Sequence, residues 1–321
     1  MIDLFIALLT FYLLIIVGYI FGRFFKRYNE KIRRSLSFIL LFILSPPLIL
    51  LAFLLPNQSL NSTVISAVIV FQLILVSSTQ FIAYLFFLRK REEEQNQRKG
   101  SILSLVAFPN AFLFPLPIIL SLFGSEYIII LVIFSLSALV LRSTLLTYQC
   151  IYYGKENLKT FKQNLKEMLT FPPTITLIIS VILNIFGIRL NQVYFLTINT
   201  LISRITSVIG AIFIGVLLVN INFTKIRIFQ KDFSIVFFIR VVFSLFLFII
   251  IIRFLTFLSE LGQIILVILL LLYVNPPAVT NISYAEYFQL DHDFSAFCVF
   301  TITILAIIYI PLIIILGLTI F

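Results

Sequence analysis

The chain has 321 residues, 61% hydrophobic and only 11% charged, with 23 Lys and Arg against 13 Asp and Glu. A soluble globular domain carries about 25% charged residues, so a mean hydropathy of +1.17 places this chain in a membrane. One histidine, His292, and two cysteines, Cys150 and Cys298, in no ligand spacing exclude His-based metal sites and Ser-His-Asp catalysis. The sequence also lacks a phosphate-binding loop, so ATP-driven pumping by this chain is excluded and no cofactor is expected.

Runs of ~20 apolar residues read as spanning helices. Ten follow in chain order: 2–22, 35–55, 63–88, 101–122, 127–150, 171–187, 197–219, 234–255, 262–283 and 294–320. The first is too long for a signal-peptide core, and Phe21–Gly22–Arg23 offers no small-residue cleavage site. Span two contains Ser45–Pro46–Pro47, and span three a polar stripe of Gln72, Ser77, Ser78, Thr79 and Gln80 that suits a cavity. Span four is interrupted at Pro109–Asn110. Span five carries Arg142 amid Ser135, Ser137, Ser143, Thr144 and Thr147. A charge at that depth costs at least ~2.5 kcal/mol, so it faces protein, water or substrate, snorkels to headgroups, or pairs with a carboxylate such as Glu286. Span seven holds Gly210 and Gly215. Arg204 and Arg240 read as snorkelling anchors near membrane edges. Span nine is interrupted at Asn275–Pro276–Pro277, and a loop with Glu286, Asp291, His292 and Asp293 follows.

The odd-numbered connections hold Arg23 to Arg34, Arg89 to Lys99, Lys155 to Lys166, and Lys225 to Lys231; the even ones are nearly free of Lys and Arg. Basic loops stay in the cytoplasm, which predicts a multi-pass cell-membrane protein with both termini outside. The net charge of +10 therefore implies attraction to anionic membrane lipid and no nucleic-acid partner. Five spans lie on each side of the polar 151–170 connection. An odd number per half inserts the second half upside down, predicting an all-α membrane protein of two inverted five-helix repeats, 1–150 and 171–321.

Proline removes a backbone donor and opens a helix, and an opened backbone within a membrane must be buried in protein or line a wet cavity. A matched pair of breaks half a chain apart points to the binding site of a secondary transporter. Helices 4 and 9 are thus expected to be broken and to cross at the midplane. Asn110 and Asn275 adjoin the breaks, and their amides can donate to a carboxylate or occupy freed backbone groups. Asn281 and Ser283 follow one to two turns later. The positive ends of half-helices would favour an anion without a formal cation. Pro109, Asn110, Asn275, Pro276, Asn281 and Arg142 are therefore candidate substrate-binding residues.

Residues 104–124, Ser-Leu-Val-Ala-Phe-Pro-Asn-Ala-Phe-Leu-Phe-Pro-Leu-Pro-Ile-Ile-Leu-Ser-Leu-Phe-Gly, resemble the fourth-span signature of the auxin efflux carrier (PIN-like) family. Residues 275–291, Asn-Pro-Pro-Ala-Val-Thr-Asn-Ile-Ser-Tyr-Ala-Glu-Tyr-Phe-Gln-Leu-Asp, are similar to its ninth-span signature. Val17–Gly18–Tyr19 before a basic loop and Ser45–Pro46–Pro47 fit as well, and Ser45 joins the candidate site on this ground. Phe114 departs from the family's usual Gly. The resemblance implies a ten-helix bundle in which spans 1, 2, 6 and 7 form a scaffold that often dimerises, here through helices 2 and 7. Spans 3–5 and 8–10 would form the moving part. The implied cargo is a small organic anion, auxin-like or a mono- or dicarboxylate. No carboxylate sits firmly mid-membrane, so facilitated uniport stands beside a sodium- or proton-coupled symporter of the bile-acid type. A receptor would have intact helices, and an enzyme would need a titratable cluster.

Overall fold

The structure, a computed structural model, describes residues 2–54, 62–89, 95–111, 114–124, 127–154, 161–219, 226–254 and 262–321. Lys90, Arg91, Phe112, Leu113, Lys155, Lys159 and Lys225 lie outside these residues. The described residues are almost all helical, with no strand among them. This follows from the solvent: in a membrane only a helix satisfies every backbone group within its own segment.

Helix α1 (Ile2–Phe24) is followed by α2 (Asn29–Phe38), which runs through a π-helical stretch, Ile39–Leu44, into α3 (Ser45–Phe53). Helix α4 (Ser62–Ile82) extends through a second π stretch, Ala83–Leu88. Two short helices, α5 (Asn96–Ala107) and α6 (Pro115–Leu122), flank the first break. Then α7 (Ile128–Leu141) joins α8 (Thr147–Tyr153) through a π stretch at Arg142–Leu146. The middle of the chain holds α9 (Phe161–Thr170), α10 (Pro172–Ile185) and α11 (Gln192–Leu218). Helix α12 (Ile226–Phe237) passes through a π stretch, Phe238–Phe243, into α13 (Ser244–Phe254). Helices α14 (Gln263–Val274) and α15 (Thr280–Tyr287) flank the second break, and α16 (His292–Ile320) ends the chain.

Length and composition let five helices cross a membrane: Lys26–Leu51, Ile65–Leu88, Ile130–Tyr153, Phe229–Phe254 and His292–Ile320. A sixth is counted if α9 and α10, bent by 65°, form one span. The sequence reading of ten is not reached by this measure: in α1 and α11 only the shorter apolar stretches Tyr12–Phe24 and Arg204–Leu218 count, and the broken spans are short. At 1.5 Å per residue, the 12 residues of α5 or α14 reach about 18 Å, well under the ~30 Å hydrocarbon core. These two helices are also the most enclosed. Every residue from Leu266 to Val274 is buried, as is every residue from Gly100 to Ala107. A helix apolar on all sides has no face for water and packs against protein all round. The 151–170 connection, expected as a polar loop, contains the end of α8 and all of α9, which packs back on α8.

Two helix pairs frame this interior. Helix α1 lies along α11, and α3 along α10. Gly18 and Gly215 set the first crossing. A Cβ on Gly215 would fall 2.1 Å from the Ile15 carbonyl oxygen, and one on Gly18 would fall 2.2 Å from that of Ile212. Gly22 repeats the small position one turn on from Gly18, the spacing that lets membrane helices approach backbone to backbone. Replacing Gly215 by Ala should lower stability by about 1–3 kcal/mol through overpacking. Gly262, with nothing within 4 Å of its would-be Cβ, is the control. Thermal unfolding in detergent should separate Gly215→Ala from wild type and leave Gly262→Ala unchanged.

Candidate functional site

The two breaks meet. Helix α5 stops at Ala107 because residues before proline avoid the helical region: Phe108, preceding Pro109, is extended at φ −110°, ψ 96°. Asn275, preceding Pro276, sits at φ −55°, ψ 147°. The freed segments pair antiparallel, with Asn110 N donating to Pro276 O at 2.8 Å and Ala278 N donating to Phe108 O at 3.1 Å. Pro109 and Pro277 face each other across this bridge. In an antiparallel ladder alternate residue pairs exchange no hydrogen bond, so the prolines occupy the one register in which their missing N–H groups are not needed.

Opening a helix orphans its last carbonyls, and an unpaired polar group in an apolar interior is costly. Side chains from distant helices supply the donors. Asn281 Nδ2 donates to Ser104 O at 3.2 Å and Phe108 O at 2.9 Å. Asn275 Nδ2 donates to Asn110 O at 3.1 Å, and the Tyr309 hydroxyl to Val274 O at 3.0 Å. Arg240 bridges both half-helices: Nη1 donates to Val106 O and Nε to Asn275 O, each at 3.0 Å, and Nη2 donates to Tyr273 O. Arg142 Nη2 donates to Pro109 O at 2.7 Å, and its Nη1 to the Thr280 hydroxyl at 3.0 Å. Its guanidinium also lies 5.8 Å from the Phe108 ring centroid.

Both arginines are interior, Arg240 at 0% and Arg142 at 9% exposure. Neither snorkels, and Arg142 pairs with Thr280 and a carbonyl, whereas Glu286 lies beside Arg33 and His292. The Arg240 reading is corrected for a simple reason. Its helix starts at Ile226, eight residues before the apolar run, so residue 240 is equidistant from the ends at 226 and 254. Arg204, by contrast, is exposed. Each buried arginine also lies in a π-helical stretch. Such stretches leave a carbonyl out of register, and hydroxyls five residues on close three of them. Thr147 donates to Arg142 O at 3.0 Å, Ser244 to Ile239 O at 3.1 Å, and Ser45 to Leu40 O at 2.8 Å. Ser45 thus has its proton engaged within its own helix.

The candidate residues sort by what remains unengaged. Asn275 and Asn281 are fully buried and their amide donors are taken, leaving only Oδ1 of each without a partner. Asn110 is partly exposed; its Oδ1 accepts from Phe114 N at 3.3 Å, and no described residue accepts from its Nδ2. Arg142 Nε is also without a partner. The span-three stripe does not face one cavity. Gln80 exchanges hydrogen bonds with Gln149 at 2.8 and 2.9 Å, Ser77 is exposed, and Gln72 is buried with both amide atoms unpartnered. Among the described residues no cluster of His, Cys, Asp and Glu suits a metal.

Replacing Arg240 by Gln would leave at least two buried carbonyls unpaired, at about 1–3 kcal/mol each. Arg142→Gln should destabilise less, because only one carbonyl depends on it. Unfolding midpoints of the two purified variants, at matched expression, test this order.

No family model matches the sequence. A protein of Methanocaldococcus jannaschii described as an uncharacterized transporter is 27% identical over 183 residues, covering 56% of this chain. The match spans 57% of that relative, a little over half its length.

Proposed function

We propose that the chain is a secondary carrier of small organic anions that binds its cargo at the crossover and works by alternating access, in an elevator-like manner. The paired breaks carry this reading. Two interrupted helices, joined through Pro109 and Pro277, place polar backbone and two guanidinium groups in the interior of an apolar bundle. An irregular backbone there is tolerated where it serves a cavity.

The architecture that goes with this function is ten membrane segments in two inverted repeats, 1–150 and 171–321, linked through 151–170. Helices α5 with α6 and α14 with α15 would be the broken fourth and ninth segments, crossing near the midplane. The packing supports this reading: the first segment of each half lies along the second segment of the other, α1 on α11 and α10 on α3. A two-fold relation between halves would produce that exchange. In this reading α1, α2–α3, α10 and α11 form the scaffold, with a homodimer contact through the second and seventh segments. The protein sits in the cell membrane with both termini outside.

The electrostatics favour an anion. Arg142 and Arg240 donate to carbonyls and a hydroxyl, and among the described residues no carboxylate pairs with them, so helix C-terminal dipoles offset their formal charges in part. Among the described residues the Asn110 amide and Arg142 Nε are donors without a partner at the crossover, and Arg142 holds the adjacent Pro109 carbonyl. A cargo carboxylate would lie against the Asn110 Nδ2, with Pro109 and Pro276 shaping the site. The Oδ1 atoms of Asn275 and Asn281 accept from water or a cargo hydroxyl.

A thermal-shift screen of the purified protein against mono- and dicarboxylates and an indole acid should find one that stabilises it by mass action. For that ligand, Asn110→Ala should weaken binding by roughly 10- to 150-fold, the loss of a charge-assisted hydrogen bond of about 1.5–3 kcal/mol. Normal binding by Asn110→Ala would place recognition elsewhere. Uptake into proteoliposomes with and without a sodium gradient separates uniport from the coupled alternative. Labelling of introduced cysteines in intact cells should reach 161–170 only after permeabilisation.

A further inference from the structure

Away from the crossover, the far end of α15 meets α2 in a corner that holds the only histidine of the chain. His292 Nδ1 lies 3.4 Å from Glu286 Oε2, and its Nε2 lies 3.3 Å from Asp293 Oδ1. Reaching across from α2, Arg33 places Nε 3.7 Å from Glu286 Oε1 and Nη1 3.9 Å from Asp293 Oδ1. One imidazole and one guanidinium are thus shared between two carboxylates. The Glu286 side chain is only 5% exposed, yet its Oε2 accepts no hydrogen bond, and neither does Asp293 Oδ1.

The other charged groups around this corner have partners of their own. Arg98, on α5, holds Asp291 at 2.6 Å and Asp232 at 3.2 Å. Arg34 holds Glu30 at 2.6 Å on the outer side of α2. Arg33, Glu286 and Asp293 therefore sum to one negative charge when the imidazole is neutral. A neutral imidazole carries a single N–H and can serve one carboxylate, whereas the charged ring donates from both nitrogens. One added proton would balance the cluster and give Glu286 Oε2 and Asp293 Oδ1 a donor each. Water reaches the group through an open cleft of ≈ 480 Å³ lined by Arg33, Gln97, Glu286, Gln289 and His292.

We propose that Glu286, His292 and Asp293 form a binding site for one exchangeable proton, whose occupancy sets how firmly α2 is held to α15 and α16. With the proton bound, two cations alternate with two carboxylates and the contact is closed. Without it, Arg33 alone is shared between two carboxylates, and the contact relies on the hydrogen bond from the Ser37 hydroxyl to Ser283 O at 2.8 Å. In the carrier reading, α2 belongs to the scaffold and α15 and α16 to the moving part. The site would then make the proton, in place of a metal cation, the ion that biases movement.

The single histidine makes the test direct. Full-length protein carrying ¹⁵N-histidine in nanodiscs gives one set of ring signals, followed from about pH 5 to 8, the range in which histidine charge ordinarily changes. Hydrogen exchange of 29–38 and 280–287, corrected for intrinsic rates, reports the contact at each pH. The ring should titrate in this range, with protection of both segments falling at the same midpoint as pH rises. Arg33→Gln should move the midpoint to higher pH, and His292→Gln should hold protection at its low, pH-independent level. A ring that keeps one protonation state throughout, or titrates while protection stays constant, overturns the proposal. If a variant does not fold, the wild-type comparison of midpoint with protection decides alone. Neither measurement uses cargo, so the outcome is independent of whether an organic anion is carried.

Discussion

Two stretches of open backbone crossing in a dry interior must have their carbonyls hydrogen-bonded by something other than water, and much of this structure is organised by that requirement. The bridge between Phe108–Asn110 and Pro276–Ala278 satisfies only two of the orphaned carbonyls. Others are reached by Asn275, Asn281, Tyr309, Arg142 and Arg240, drawn from α7–α8, α12–α13, α14–α15 and α16. Each of those helices must therefore pass within side-chain reach of one point. The two short helices α5 and α14 become the most deeply buried elements because everything else packs around the place where they end.

Using guanidinium groups for this task has an electrostatic consequence. An amide or a hydroxyl caps a carbonyl and leaves no net charge, whereas Arg142 and Arg240 each bring a full positive charge into the bundle. Among the described residues no carboxylate pairs with either. The carbonyl ends of α5 and α14 offset that charge in part, and an anionic ligand would complete the balance. In the proposed carrier, holding the crossover together and attracting an anion would be two effects of the same side chains.

Proline made the breaks legible in the sequence, since a residue that cannot donate and keeps the residue before it out of the helical region marks its own position. The pairing of Pro109 with Pro277 was legible only as a symmetry of placement; the register came from which residues lack an N–H. Arg142 could be seen as an expensive charge, but sequence distance says nothing of which way a side chain points. Arg240 was harder still. The basic and polar residues of 226–233 hide the true start of its helix, so a central residue looked peripheral. The hydroxyls of Ser45, Thr147 and Ser244 sit among many similar ones, and their bonding five residues back depends on π turns that apolar periodicity does not encode.

The crossing of α1 and α11 rests on backbone against backbone at Gly18 and Gly215, and this constrains how the gene can change. The exposed side chains Leu13, Ile16, Val17 and Ile20 can drift among Ile, Leu, Val and Phe, because none of them is packed inside the protein. A one-residue insertion or deletion between Ile15 and Gly22 is another matter. It would turn part of the small-residue stripe by about 100° around the helix axis and present a bulky side chain where only a hydrogen fits. Length in that turn is therefore fixed more strictly than composition, and related chains should align there without gaps even where few residues are identical.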